Sequence, residues 1–178
     1  SLYTGTFPTI HGITGERWLD ISTLRVKNCV DDRDFMGNYT DEMSSASQLM
    51  VSTVGDELKV ATQGKGLVYA IAPYREAAIF GAGHAGNGAF WLNDDTGKWC
   101  GTTYYSDFPW FVSQYNDRKA LDFRINGMVW TPFRPVSEYK YLKSQSTQET
   151  FSYNFDEARK NKFRKLKSSP YMNEEINY

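Results

Sequence analysis

Apolar positions along the chain change their spacing several times, and each change predicts an element. Leu24 to Val30 alternates apolar and polar residues, which reads as a short strand. From Ser44 to about Gln63, residues Ala46, Leu49, Met50, Val54, Leu58 and Ala61 recur at offsets of three and four, one face of a helix. Ser44 or Ser45 would cap that helix, Gly55 would kink it and Gly64 would stop it. Leu67 to Ala72 is a continuous apolar run between Gly66 and Pro73, the pattern of a buried, central, parallel strand. Ala77 to Phe80 reads as a further short strand, and Gly81 to Gly88 as a glycine-rich turn. Ala89–Leu92 and Lys98–Tyr104 flank Asn93-Asp94-Asp95-Thr96-Gly97 and predict a β-hairpin.

Pro109 to Asn126 predicts one or two helices, with Trp110, Phe111, Tyr115, Leu121 and Phe123 inward and Asn126-Gly127 as the stop. Residues 1–20 and 128–150 read as irregular, 31–43 as an acidic surface loop, and 156–167 as a basic stretch. A helix leading into a buried strand predicts an α/β fold. The whole of 1–178 reads as a single domain segment, with a small β-hairpin and an aromatic-rich insertion. Both ends fall in what reads as ordered structure, which suggests an excerpt of a larger protein.

Composition narrows the function. Twenty Lys+Arg against 21 Asp+Glu leave a net charge of −1, which excludes a broad basic surface for duplex nucleic acid. A mean hydropathy of −0.56 and the lack of a long apolar run exclude a membrane-spanning helix. Cys29 and Cys100 form no metal-binding pattern, and leave a disulfide or two buried thiols as readings.

Several motifs have a chemical and a structural reading. Gly81-Ala82-Gly83-His84-Ala85-Gly86 matches G-x-G-x-x-G, but no helix pattern follows it, so a tight turn is the better reading. Asp94-Asp95-Thr96-Gly97 lacks the alternating ligands of a calcium loop and reads as a hairpin turn. The basic run from Arg159 to Lys167 reads as a solvated helix face. Trp91, Trp99, Tyr104, Tyr105, Trp110 and Phe111 suit either a ligand-stacking platform or a packed core. His11 suits a base or a backbone-bonded turn residue.

The segment Thr4-Gly5-Thr6-Phe7-Pro8-Thr9-Ile10-His11-Gly12-Ile13 resembles the T-G-x-x-P-x-x-H-G-I segment of the alkaline phosphatase superfamily. So do Gly55 to Gly64, Gly81 to Asn87, Phe90-Trp91 through Trp99, and Phe108 to Val112, in the same order. The similarity is to bacterial alkaline phosphatases and type I phosphodiesterases (nucleotide pyrophosphatases), over roughly residues 1–125. It implies part of an alkaline-phosphatase-like α/β sandwich, a periplasmic or exported location and a metal-dependent hydrolase of small-molecule phosphate esters. Two zinc ions and a Thr or Ser nucleophile are implied for the parent. In that resemblance the nucleophile and metal ligands lie outside this chain. His11, Gly12, Gly83, His84 and Asn87 belong to structural turns, and no metal or catalytic residue falls here.

Three positions depart from the resemblance. Glu16 stands where the family has a phosphate-binding Asn, and Tyr74 and Glu76 stand where it has Lys and Arg. Carboxylates there repel a phosphate dianion. Arg75 lies between them, and its planar fork suits phosphate. Glu16, Tyr74, Arg75 and Glu76 are therefore the substrate-binding candidates. A catalytically inactive binding or sensor protein on the same scaffold is the alternative, and an aromatic carbohydrate-binding module the weaker one.

Overall fold

A computed structural model describes residues 1–105, 108–118, 120–125, 128–131, 133–135, 138, 153–154 and 162–177. These residues group into two compact units, 1–93 with 98–117 and 94–97 with 118–178.

The first unit carries α1 (Pro8–His11), β1 (Arg17–Asp20), β2 (Arg25–Asn28), β3 (Gly37–Asn38), α2 (Val54–Ala61), β4 (Tyr69–Ala72), α3 (Arg75–Ala82), β5 (Gly88–Leu92), β6 (Trp99–Thr102) and α4 (Trp110–Asp117). Strands β1 and β2 form an antiparallel hairpin with Arg17 opposite Asn28. A four-stranded sheet has the order β3-β6-β5-β4, in which β4 and β5 are parallel and the other pairs antiparallel. Helix α3 makes the crossover between β4 and β5, the connection that parallel neighbours require.

The core forms around that crossover. Ala78, Ile79 and Ala82 of α3 pack with Ala89 and Trp91 of β5, Cys100 of β6, and Cys29, Val30, Ala46 and Tyr105. All five residues of β5 are buried. Such burial on both faces is the reason its sequence is continuously apolar. Trp91 places its indole N–H 3.1 Å from Glu42 Oε2, so the largest buried ring is not left with an unpaired donor.

The hairpin, the parallel direction of β4 and the presence of two helices within 110–125 match the expectations from spacing. Other elements differ. The segment from Ser44 to Gln63 is helical only from Val54, because Thr53 and Asp56 form a reciprocal capping box. Upstream, Ser45 and Ser47 spend their hydroxyls on each other and on Asp32, and Ser45 N–H donates to Val30, so the backbone runs as a loop. Gly55 lies in the first turn of α2 and does not break it.

Ala77 to Phe80 is helix rather than strand. A short apolar run carries no periodicity that separates the two, and Ala78, Ile79 and Ala82 supply the buried helical stripe. Strand β4 is neither central nor fully buried among the described residues. It ends the sheet, and Tyr69 and Ile71 are half exposed. Trp110, Phe111 and Phe123 face outward, while Leu121 is buried as expected. Neither cysteine is in a disulfide, and both thiols are buried.

The second unit carries α5 (Ala120–Ile125), β7 (Val129–Trp130) paired antiparallel with β8 (Tyr153–Asn154), α6 (Lys162–Lys167) and α7 (Tyr171–Asn177). Phe163, Leu166 and Met172 are its buried apolar side chains on α6 and α7. Arg124 donates to the buried Glu175 carboxylate at 2.6 Å. Asp94 of the hairpin turn pairs with Lys167, so that turn is tied by ion pairing. Of the basic stretch, Arg159 and Lys160 lie outside the described residues, as does the Asn126-Gly127 stop.

Candidate functional site

Helix α3 positions the two groups of residues that the sequence singled out. Tyr74 precedes it with an extended backbone, and Arg75 and Glu76 open its first turn. Gly83 and the turn to Asn87 close it.

At the N-terminal end, the Arg75 side chain is only 10% exposed. Its Nη2 donates to Asp31 Oδ1 at 3.0 Å and its Nη1 to Ser44 Oγ at 3.1 Å. Glu42 and Glu76 carboxylates stand 3.8 Å away. The guanidinium fork is thus engaged by the protein itself. Glu76 also accepts from Asn28 Nδ2 at 2.6 Å, which ties α3 to the end of β2. Glu16 precedes β1, and its backbone carbonyl accepts the Cys29 N–H at 2.9 Å. Its carboxylate is 68% exposed, beside Arg17. Tyr74 is half exposed.

The structure brings Arg75 and Glu76 together, while Glu16 meets the same region through its backbone carbonyl on the Cys29 N–H. Burial is the main cause that pushes the Cys29 thiol up to about 11, and the charges of Glu76 and Glu16 add to it while Arg75 opposes it. A neutral, 2% exposed thiol is an inert group. The loop that supplies Asp31 also holds Asp32. Burial pushes Asp32 up, but hydrogen bonds from Ser45, the Asp34 N–H and Ser47 outweigh it and hold its carboxyl below the usual range.

The C-terminal end of α3 is a different construction. Gly83 has φ +70° and ψ −155°, a region that only glycine occupies readily. A Cβ there would stand 2.2 Å from Thr53 Oγ1 and 2.6 Å from Asp56 Oδ2. Buried Asp56 accepts from the Thr53 N–H at 2.8 Å and from the Ala85 N–H at 2.7 Å, joining α2 to the turn. Tyr105 donates its hydroxyl to the Gly83 carbonyl at 2.7 Å. His84 Nε2 lies 3.3 Å from the Val51 carbonyl. Asn87 closes the turn, with its Oδ1 on the Val68 N–H at 2.9 Å and its N–H on the Val68 carbonyl at 2.7 Å. A strand follows the glycines, not a helix, so no helix N-terminus stands over them for a pyrophosphate.

His11 is likewise a turn residue. Its Nδ1 accepts the Ile13 N–H at 3.1 Å, which leaves the proton on Nε2, 3.1 Å from Ser1 Oγ. Gly12 follows at φ +82°, where a Cβ would stand 2.7 Å from Met50 Sδ. Of the aromatic group, Trp91, Trp99 and Tyr105 are buried in the core and Trp110 and Phe111 are exposed, so they form no common platform.

Sequence reasoning missed Asp31, Glu42 and Ser44 around Arg75, and Asp56 under the glycine turn. Asp56 had a signal in Thr53-x-x-Asp56, the capping-box spacing. The partners of Arg75 had none, because they are brought to it from 31 to 44 residues away.

The fold is that of an alkaline-phosphatase-like α/β segment. The chain is 32% identical over 157 residues to the alkaline phosphatase PhoV of Synechococcus elongatus, matching 86% of this chain and 28% of that protein. It is 33% identical over 144 residues to the alkaline phosphatase PafA of Elizabethkingia meningoseptica, matching 78% of this chain and 26% of PafA. A Myroides odoratus protein named a calcium-transporting ATPase is 32% identical over 157 residues, or 85% of this chain and 28% of that one. Against the crystal structure of wild-type PafA the TM-score is 0.70 at 30% identity, covering 78% of this chain and 28% of that chain. A multiply substituted PafA variant matches with the same TM-score at 31% identity. No family model matches. The chain therefore spans a little over a quarter of the length of the relatives it matches.

Proposed function

We propose that the full-length polypeptide carrying this chain is a metal-dependent phosphoesterase that hydrolyses small-molecule phosphate esters. The carrying observation is the match to PafA, in fold and in sequence at once. This segment supplies scaffold and part of the substrate rim, as one piece of a larger phosphatase domain. Two zinc ions, a nucleotide pyrophosphatase or phosphodiesterase type of reaction, a bacterial source and a periplasmic or exported location belong to the same reading. Among the described residues no group of three His, Cys, Asp or Glu side chains is arranged to hold a metal ion. In this reading the metal ligands and the nucleophile belong to the remainder of the protein.

Glu16, Tyr74, Arg75 and Glu76 are the rim residues in this reading. Arg75 acts as a positioning residue, since Asp31 and Ser44 already take its fork. The name of the Myroides odoratus relative describes transport. Among the described residues no helix is long and apolar enough to cross a membrane, and the reading follows the phosphatase fold.

The test is metal content and turnover of the full-length protein. Bound zinc with hydrolysis of a phosphate ester, abolished by chelation, is the expected outcome. A well-folded protein without either favours the inactive binding or sensor reading, which the carboxylates at positions 16 and 76 also suit.

A further inference from the structure

We infer that a recess walled by α2, residues 49–52 and the turn after α3 binds a small amphiphilic carboxylate, an apolar chain with one anionic head. The inference goes beyond the phosphoesterase reading and uses none of the rim residues.

The recess has a volume of about 670 Å³, within the range of small-molecule pockets. Leu49, Met50, Val51 and Val60 supply its apolar wall. Met50 and Val60 are 78% and 73% exposed, apolar surface that a chain lying in the recess would take out of water. Helix α2 contributes Asp56, Lys59, Val60 and Gln63, whose offsets of three and four put them on one face.

The polar groups of this recess divide into engaged and available. Buried Asp56 accepts from the Thr53 N–H, the Thr53 hydroxyl and the Ala85 N–H, so its carboxylate is already satisfied. His84 has Nε2 3.3 Å from the Val51 carbonyl and Nδ1 3.4 Å from the Tyr104 hydroxyl, which occupies both ring nitrogens. Ser52 donates its hydroxyl to Glu57 at 2.6 Å. Half-buried Lys59 makes no ion pair among the described residues. Gln63 adds an amide donor one helical turn further on.

Charge complementarity therefore selects the head group. A carboxylate takes donors from Lys59 and Gln63, whereas a cation meets Lys59 and finds Asp56 engaged. An apolar wall disfavours a strongly hydrated dianion, so the recess does not suit a phosphate monoester. The same wall includes the joint between α2 and the turn after α3, so occupancy should also raise the unfolding temperature.

The test is isothermal titration of the full-length protein with octanoate. Hexanoate and decanoate vary the chain, and octylammonium reverses the charge. Octanoate is expected to bind saturably at one site, while octylammonium does not. Each added pair of methylenes should tighten binding about fourfold, from half the free energy of complete burial. Lys59→Gln is expected to weaken octanoate about fivefold, and Lys59→Arg to restore it. Val60→Asp, at an exposed position, sets a carboxylate beside the head and should abolish binding. Circular dichroism checks that each variant is folded. No saturable heat with any of the three carboxylates, equal binding of octylammonium, or unchanged affinity in a folded Lys59→Gln overturns the inference. The heat of binding is read without turnover, so this outcome is separate from that of the phosphoesterase reading.

Discussion

At its C-terminal end α3 runs into Gly83, where Tyr105 donates to the backbone, Asp56 and Asn87 accept from the turn and from Val68, and no Cβ is tolerated. At its N-terminal end it opens on Arg75 and Glu76, where charged side chains from three separate segments meet. The first end holds α2, α3 and the start of β5 in one arrangement through local groups that are buried and satisfied. The second is partly solvated, and Asp31 and Glu42 keep 40% and 49% of their side-chain exposure. A motif rich in glycine and histidine thus carries the architecture, while the unremarkable Tyr-Arg-Glu sequence carries the electrostatics. Substitutions at the two ends should therefore separate stability from turnover.

The largest effect falls on the glycine turn. Gly83→Ala places a Cβ against Thr53 and Asp56 at a backbone conformation that costs about 1–3 kcal/mol, and the clash adds to it. Thermal unfolding is expected to shift down by at least about 5 °C. Asp56→Ala takes the acceptor from the buried Thr53 N–H and the part-buried Ala85 N–H, for a loss of about 1–2 kcal/mol by denaturant titration. A loss under about 0.5 kcal/mol would show the knot to be incidental.

Arg75→Ala acts at the other end. It leaves Asp31, Glu42 and Glu76 without their common cation, at about 1–2 kcal/mol because two of the three are half solvated. Unchanged turnover in that variant would remove Arg75 from the rim altogether.

Smaller again is the pH dependence. Asp32 titrates below its unfolded value, so its contribution is present above pH about 4 and is lost as pH falls through the lower folded value. Ser45→Ala removes the strongest of its hydrogen bonds and should flatten stability in that acid range. Cys29 has the opposite sign. Its raised value of about 11 contributes stability that is full below the unfolded thiol value and fades as pH rises through about 11. A thiol reagent at pH 8 should reach Cys29 only after unfolding.

Much of the fold was legible because hydrophobic spacing reports burial. The hairpin of β5 and β6 and the parallel direction of β4 follow from apolar runs and turn residues, while its partner β5 does not. The errors lie where local and tertiary demands compete. Ala77 to Phe80 reads equally as strand and helix, and only the crossover between two parallel strands decides it. Ser44 to Ser52 has helical spacing, but its hydroxyls prefer Asp32 and one another. Glu16, Tyr74, Arg75 and Glu76 were visible as departures from a family resemblance. Their surroundings were not, because Asp31, Glu42 and Asn28 reach α3 only through the folding of the intervening loop.

The division between the two ends of α3 is tested most directly by thermal unfolding and by phosphate-ester turnover, measured on the same preparations of Gly83→Ala and Glu76→Gln in the full-length protein. Gly83→Ala is expected to unfold at a markedly lower temperature, with the turnover of the folded fraction unchanged. Glu76→Gln is expected to unfold within about 1 °C of the wild type and to change turnover. A Gly83→Ala as stable as the wild type, or an unstable Glu76→Gln with unchanged turnover, would contradict the account.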